Sequence, residues 1–232
     1  MRSKSASYLI LAWAVSACAG AQGQPAQAPS GDTQAAANAS VPWRAPSDLA
    51  PQRWLVLGPF VAEGARDAAL DTDFLTPIGG EAAPRIDATT ALEVGGQRQA
   101  IKAVDIAADR TVDLKKLYGV NTDFKVAYAQ GIATVDRAQV VRAIFGSDDG
   151  AVVWVNGVRV HRLVTPGRGL SPDSDQFDVP LRQGHNHVLV KVENGSGGWG
   201  FALRLLDEAG QAQARALERR RHLESIELAP PG

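Results

Sequence analysis

Two carboxylates stand side by side at Asp148 and Asp149, within G-S-D-D-G-A-V-V-W-V-N-G-V-R-V, Gly146 to Val160. Adjacent acids suit three kinds of chemistry: acid–base catalysis, binding of a hard cation, and hydrogen bonding that shapes a turn. Glycosidase carboxylates flank the scissile bond from opposite sides, roughly 5 to 9 Å apart. Adjacent residues leading into a strand point to opposite sides, and no third group stands at a supporting spacing. The pair is therefore not read as catalytic. Oxygen ligands near a turn do suit Ca2+. Asp173, Asp175 and Asp178, in S-P-D-S-D-Q-F-D, offer a second oxygen-rich loop, which lacks the glycine and distal glutamate of an EF-hand. The competing reading is that Asp148 and Asp149 accept backbone amides and fix a turn.

The residues that follow dictate a hairpin. Asn156-Gly157 tolerates the positive φ that both central positions of a type I′ turn require. A two-residue loop then pairs Val155 with Val158, Trp154 with Arg159, Val153 with Val160 and Val152 with His161. On that register Val153, Val155, Val158 and Val160 share one face and are expected in the core. The other face carries Val152, Trp154, Arg159 and His161. An indole directly across from a guanidinium offers a stacking platform for a sugar ring, with Arg159 as donor. The alternative is that a neighbouring loop covers Trp154, with Arg159 packed over the ring.

Gly195-Ser196-Gly197-Gly198-Trp199-Gly200 formally fits the dinucleotide fingerprint, which needs a helix after it to hold the pyrophosphate. Phe201 to Leu205 instead alternates as a strand, so the string is read as a loop. Trp199 either caps the core or stands at the rim as a ligand residue. His185 and His187 would face one way on a strand, with no third metal partner evident. The chain has no H-E-x-x-H, C-x-x-C, Walker or G-x-S-x-G motif, and no catalytic residue is assigned.

The elements around these residues read as strands. Trp54 to Leu57 is an apolar run stopped by Gly58-Pro59. Val126 to Val135, Gln139 to Phe145, Phe177 to Leu181, Val188 to Val192 and Phe201 to Leu205 follow, with Gly, Pro, Asn and Asp between them. Ala108 to Tyr118 has room for a turn of helix, and Glu208 to His222 reads either as a helix or as an extended edge. Short strands punctuated by turns, without βαβ alternation, give an all-β fold, a jelly-roll-like β-sandwich over residues 51–208. Residues 209–232 form a polar tail.

The N-terminus has its own logic. Arg2 and Lys4 precede the apolar run Tyr8 to Val15, which is too short to span a bilayer and reads as the core of a signal peptide over residues 1–17. Val15-Ser16-Ala17-Cys18 resembles the bacterial lipobox. That resemblance implies cleavage before Cys18 and acylation of this cysteine, the only one in the chain, so the expected partner is membrane lipid. Ala19 in place of aspartate after it implies the outer membrane by the lipoprotein sorting pattern. The stretch from Ala19 to about Ser40 is small, polar and carries one charge, Asp32. With the residues up to 50, it reads as a flexible, disordered tether. A formal net charge of -1 gives no electrostatic footprint for nucleic acid.

The hairpin, the string D-V-P-L-R-Q-G-H-N-H-V-L-V-K-V-E-N-G-S-G-G-W-G-F-A-L-R-L and the opening W-L-V-L-G-P-F together resemble accessory β-sandwich modules of bacterial secreted and surface proteins. These are galactose-binding-like jelly rolls and, more distantly, PA14 modules. The PA14 resemblance implies that Asp148 and Asp149 hold Ca2+, which binds sugar hydroxyls. The expectation is a lipid-anchored, non-catalytic envelope module that binds a glycan or adheres, through Asp148, Asp149, Trp154, Arg159 and Trp199. The alternatives are a structural or protein-interaction lipoprotein without a sugar ligand and, last, a hydrolase with an unrecognised site. For the anchor, Cys18→Ser should abolish incorporation of labelled palmitate and move the protein from the membrane fraction to the soluble one.

Overall fold

A computed structural model describes residues 48–61, 66–94, 96–106, 108–165 and 167–227. The expected signal peptide, Cys18, the tether up to residue 47 and the end of the tail from residue 228 lie outside the described residues. In chain order the strands are β1 (Arg53–Val61), β2 (Ala91–Val94), β3 (Gln97–Ala100), β4 (Lys102–Asp105), β5 (Thr111–Asp113), β6 (Lys125–Val135), β7 (Gln139–Asp148), β8 (Ala151–Val155), β9 (Val158–Leu163), β10 (Asp175–Leu181), β11 (Gly184–Asn194) and β12 (Gly200–Leu206). Helices α1 (Arg66–Asp71), α2 (Leu114–Tyr118) and α3 (Glu208–Glu227) complete the fold. A six-stranded sheet, β4-β1-β6-β11-β8-β9, packs on a four-stranded one, β10-β7-β12-β5, and β2-β3 form a separate hairpin. The fold is an all-β sandwich.

Strand alternation divides the six-stranded sheet between two cores. Val153 and Val155 of β8 and Val188, Val190 and Val192 of β11 join Phe145 and Phe201 between the sheets. Trp54 meets Phe201 edge-on there, with ring centroids 5.1 Å apart. The intervening residues Val152, Trp154, Leu189, Tyr128, Leu57 and Phe60 form the opposite face. That face is covered by Leu70, Leu75, Ile86 and Leu92, from the segment between β1 and β3.

Lys191 fastens this cover to the sheet. Its side chain is fully buried, and Nζ donates to the carbonyls of Leu70 at 2.8 Å and Thr72 at 2.7 Å and to Glu81 Oε1 at 2.9 Å. Tyr128 Oη donates to the same Glu81 oxygen at 2.6 Å. Burial holds the Lys191 ammonium below its ordinary pKa, opposed by the Glu81 charge. Three acceptors match three N–H groups, which is what makes a buried ammonium tolerable.

The hairpin turn is as expected, with φ of 52° at Asn156 and 81° at Gly157. A side chain at Gly157 would also collide with the Ala82 carbonyl of the covering segment. Trp154 pairs with Arg159 and Val155 with Val158, but Val153 then pairs with His161 and Val152 with Arg162. The expected Val153–Val160 and Val152–His161 pairs are corrected by a one-residue bulge in β9 that leaves Val160 unpaired in the ladder. The shift moves His161 to the inter-sheet side, where its ring stacks on Phe177 at 4.6 Å. Val160 packs half-buried against the inter-sheet core, whereas Val158, expected in that core, is 64% exposed at the tip of an edge strand. β1 does not stop at Gly58-Pro59 but runs on to Val61, with a register shift between Leu57 and Phe60. The tail left open between helix and edge is helix α3, whose start is tied by the Gly210 amide to Asp207 Oδ1 at 2.7 Å.

Replacing Lys191 by Met should remove about 3 kcal/mol of stability, because it leaves the half-buried Glu81 without its cation. Urea unfolding of the two proteins measures the difference.

Candidate functional site

The candidate site lies where β7 ends and β8 begins, at one end of the sandwich. Asp149 is buried, and its carboxylate holds two loops: Oδ1 accepts the Arg168 amide at 2.9 Å and Oδ2 the Gly195 amide at 2.7 Å. Its own amide donates to the Glu193 carbonyl at 3.0 Å. Those donors stand 19 and 46 residues away, so the carboxylate is a tertiary clamp rather than the local turn former of the sequence reading. Asp148 is only partly exposed. Burial first, and the neighbouring charge of Asp149 second, raise its carboxyl above the ordinary pKa. The Gly195–Gly200 loop passes so close that a side chain at Gly198 would overlap the Asp148 carboxylate. The peptide between the two aspartates is cis.

A third loop completes this end. Asn194 continues the inter-sheet face of β11 two residues beyond Val192. Its Nδ2 donates to the Thr122 carbonyl at 2.7 Å, while its Oδ1 is buried without a partner. Next to it the Phe124 amide donates to the Gly195 carbonyl at 3.3 Å. The same loop exposes two apolar side chains, Val120 at 81% and Phe124 at 63%. Neither Asn194 nor this apolar tip carries a sequence signal beyond the turn-forming Gly119-Val-Asn-Thr-Asp.

For a cation, the donor set at this end is hard oxygen throughout. Among the described residues no group of three or more His, Cys, Asp or Glu side chains could hold a metal ion. The acids supply two carboxylates, and the buried Asn194 Oδ1 is a further oxygen in need of an electropositive neighbour. These residues fit Ca2+ in chemical type.

The remaining candidates are placed elsewhere. Asp175 pairs with Arg168 at 2.6 Å, and Asp178 pairs with Arg142 at 3.2 Å. The run Asp173, Asp175 and Asp178 therefore does not form one oxygen cage. Trp199 is buried, stacked on Tyr118 at 5.5 Å, and its Nε1 donates to the Val192 carbonyl at 3.3 Å, so it caps the core. Trp154 lies on the outer face beneath the covering segment, 7% exposed, and Arg159 across from it is exposed. The five residues expected to act together are thus split along β8. Asp148, Asp149 and Trp199 stand near its start, and Trp154 and Arg159 near the hairpin turn.

No family model matches the chain, and no curated protein does. Similar solved structures include the PA14 domain of the antifreeze protein MpAFP, 17% identical over 37% of this chain and 45% of that one, with a TM-score of 0.32. A glycosyl hydrolase family 2 member from Bacteroides cellulosilyticus is 17% identical over 67% of this chain and 20% of that one, with a TM-score of 0.38. A family 2 beta-galacturonidase from Eisenbergiella tayi, bound to galacturonate, is 13% identical over 70% and 24%, with a TM-score of 0.37. The chain spans less than half the length of each of these structures. Likeness at this level assigns no ligand or site. The class is that of an all-β sandwich module, and it rests on the two sheets themselves.

The loop that Asp149 clamps carries a second polar network. Arg168 donates to the Ser147 carbonyl and hydroxyl, at 3.0 and 2.9 Å, and to both oxygens of Asp175. Desolvation pushes the Asp175 carboxyl up, but Arg168 and then His161 outweigh it and hold it below its ordinary value. His161 Nε2 approaches Asp175 Oδ2 to 3.4 Å, an electrostatic contact without good hydrogen-bond geometry. Burial lowers the imidazole pKa despite that charge. The signs agree in direction. The unfolded chain protonates His161 first, so stability falls as pH drops from about 6.5 to the folded value. The Asp175 contribution, present at neutral pH, is lost below about 4 as pH falls through its folded value. Urea midpoints measured from pH 7.5 downward should fall in both windows, and His161→Phe should remove the upper one.

Proposed function

We propose that the chain is a non-catalytic binding module of the bacterial cell envelope, held to membrane lipid through acylated Cys18, whose ligand is a glycan. The ligand end is that of Asp148 and Asp149, with Asn194 beside them and the Val120–Phe124 loop at the rim. The observation that supports this reading is a pair of adjacent carboxylates, one raised in pKa by burial and its neighbour, with the other accepting the Gly195 amide next in sequence to Asn194, whose Oδ1 is buried without a partner. Ca2+ would offset the carboxylate charge that Arg168 only partly balances at Asp148. Bound there, the ion would be held by Asp148, Asp149 and Asn194 and would present open coordination positions to vicinal hydroxyls. Phe124 and Val120 give an apolar surface against which a sugar ring can rest. The tether between lipid and sandwich lets the module stand clear of the headgroups.

Millimolar Ca2+ should raise the melting temperature of the wild-type domain by several degrees, since a ligand at 100 times its Kd stabilises by about 2.7 kcal/mol. Mg2+ should not do so, and Asp148→Asn should remove the response while leaving the fold intact. Glycan arrays probed with and without EGTA should then show calcium-dependent binding. A melting temperature unmoved by Ca2+, together with blank arrays, would sink the glycan reading and leave the structural lipoprotein.

A further inference from the structure

Near the hairpin turn a cavity of about 310 Å3 opens on the outer face of the six-stranded sheet, between that sheet and the covering segment. Trp154 and Leu189 supply its apolar wall, Gln130, His187 and Arg182 stand on the sheet side, and Glu81 on the covering side. The hairpin turn closes one flank, because Gly157 abuts the Ala82 carbonyl. The volume is at the small end of the range for small-molecule sites.

Gln130 singles this cavity out. It is 6% exposed, its Nε2 lies 3.5 Å from His187 Nδ1, and its Oε1 is buried without a hydrogen-bond partner. An acceptor left in that state costs about 1–3 kcal/mol, which a donor from a ligand in the cavity recovers. Charge at the rim narrows the ligand. Glu81 is neutralised by Lys191 at 2.9 Å. Among the described residues the exposed guanidinium of Arg182 forms no ion pair, and neither does that of Arg159, which faces Trp154 across the ladder. Of these two cations Arg182 lines the cavity, and it is the positive group available to a ligand there.

We propose that this notch is a second ligand site, taking a pyranose that carries a carboxylate, a uronate residue of an acidic glycan. Its ring lies against Trp154 and Leu189, a hydroxyl donates to Gln130 Oε1, and Arg182 receives the carboxylate. The assignment rests on the glycan reading of the module, but it concerns the opposite end of β8 and needs no calcium.

The test is titration of the whole domain with digalacturonate and with glucuronate in EGTA, followed by tryptophan fluorescence and calorimetry. The methyl ester of digalacturonate serves as the neutral control. Saturable binding is expected for at least one uronate, weakened about tenfold or more by esterification and by Arg182→Ala, in line with the loss of a hydrogen bond to a charged group. Gln130→Leu should weaken it as well, while Asp148→Asn leaves it unchanged. Arg182 is exposed, so its variant reports on binding even where Gln130→Leu fails to fold. Absence of saturable uronate binding, equal binding of the ester, or indifference to Arg182→Ala overturns the proposal. Calcium-dependent glycan binding that survives such a result shows that the notch alone has failed. Uronate binding in EGTA without any calcium-dependent binding shows that the Asp148 end has failed and the notch stands.

Discussion

The ammonium of Lys191 sits at the centre of the larger sheet, where a charge is stable only if every N–H finds an acceptor. All three acceptors come from one stretch of chain, the carbonyls of Leu70 and Thr72 and the carboxylate of Glu81. The stretch is therefore pinned over the outer face at a fixed point, and much else follows from where that point lies. Tyr128 completes the Glu81 carboxylate, Leu70 and Leu75 close over Phe60 and Leu57, and the chain beyond Glu81 passes above Trp154. Trp154 consequently forms part of the wall of a cavity and is not an open platform.

A second buried charge organises the other end of the sandwich by a different route. Asp149 fixes its loops through backbone amides. Through Arg168 and Gly195 it gathers two loops whose own sequences have little reason to order. Arg168 extends the clamp to Ser147 and Asp175, and Gly146 permits it, since a side chain there would strike the Ser171 carbonyl. Loops held in this way carry ligand groups at little further entropic cost. The same clamp therefore underlies both the stability of this end and the binding proposed for it.

Much of this architecture was legible in the sequence. Asn156-Gly157 between valine runs fixed the turn, and regular alternation located the strands that follow it. The failures have physical causes. V-L-V-K-V-E-N reads as a strand with one wet face, yet Leu189, Lys191 and Glu193 are all buried. The layer that covers them is built from short turns and a six-residue helix, which leave no periodic trace. The bulge in β9 was invisible because V-R-V-H-R-L alternates plausibly in either register. The roles proposed for Asn194 and Gln130 rest on what they lack, a hydrogen-bond partner for one oxygen each, and a missing partner is a property of packing that no motif encodes.

That bulge has a consequence for how the hairpin can change over time. A single extra residue reverses the facing of everything beyond it, so β9 is two half-strands with separate duties. Arg159, before the bulge, stands with Trp154 on the outer face, whereas His161, after it, packs on Phe177 between the sheets. Substitutions at the tip can alter what the outer face presents without disturbing the aromatic stack that joins the two sheets. The surface that the hairpin presents and the packing that holds the sheets together are thus insulated from one another within six residues of one strand.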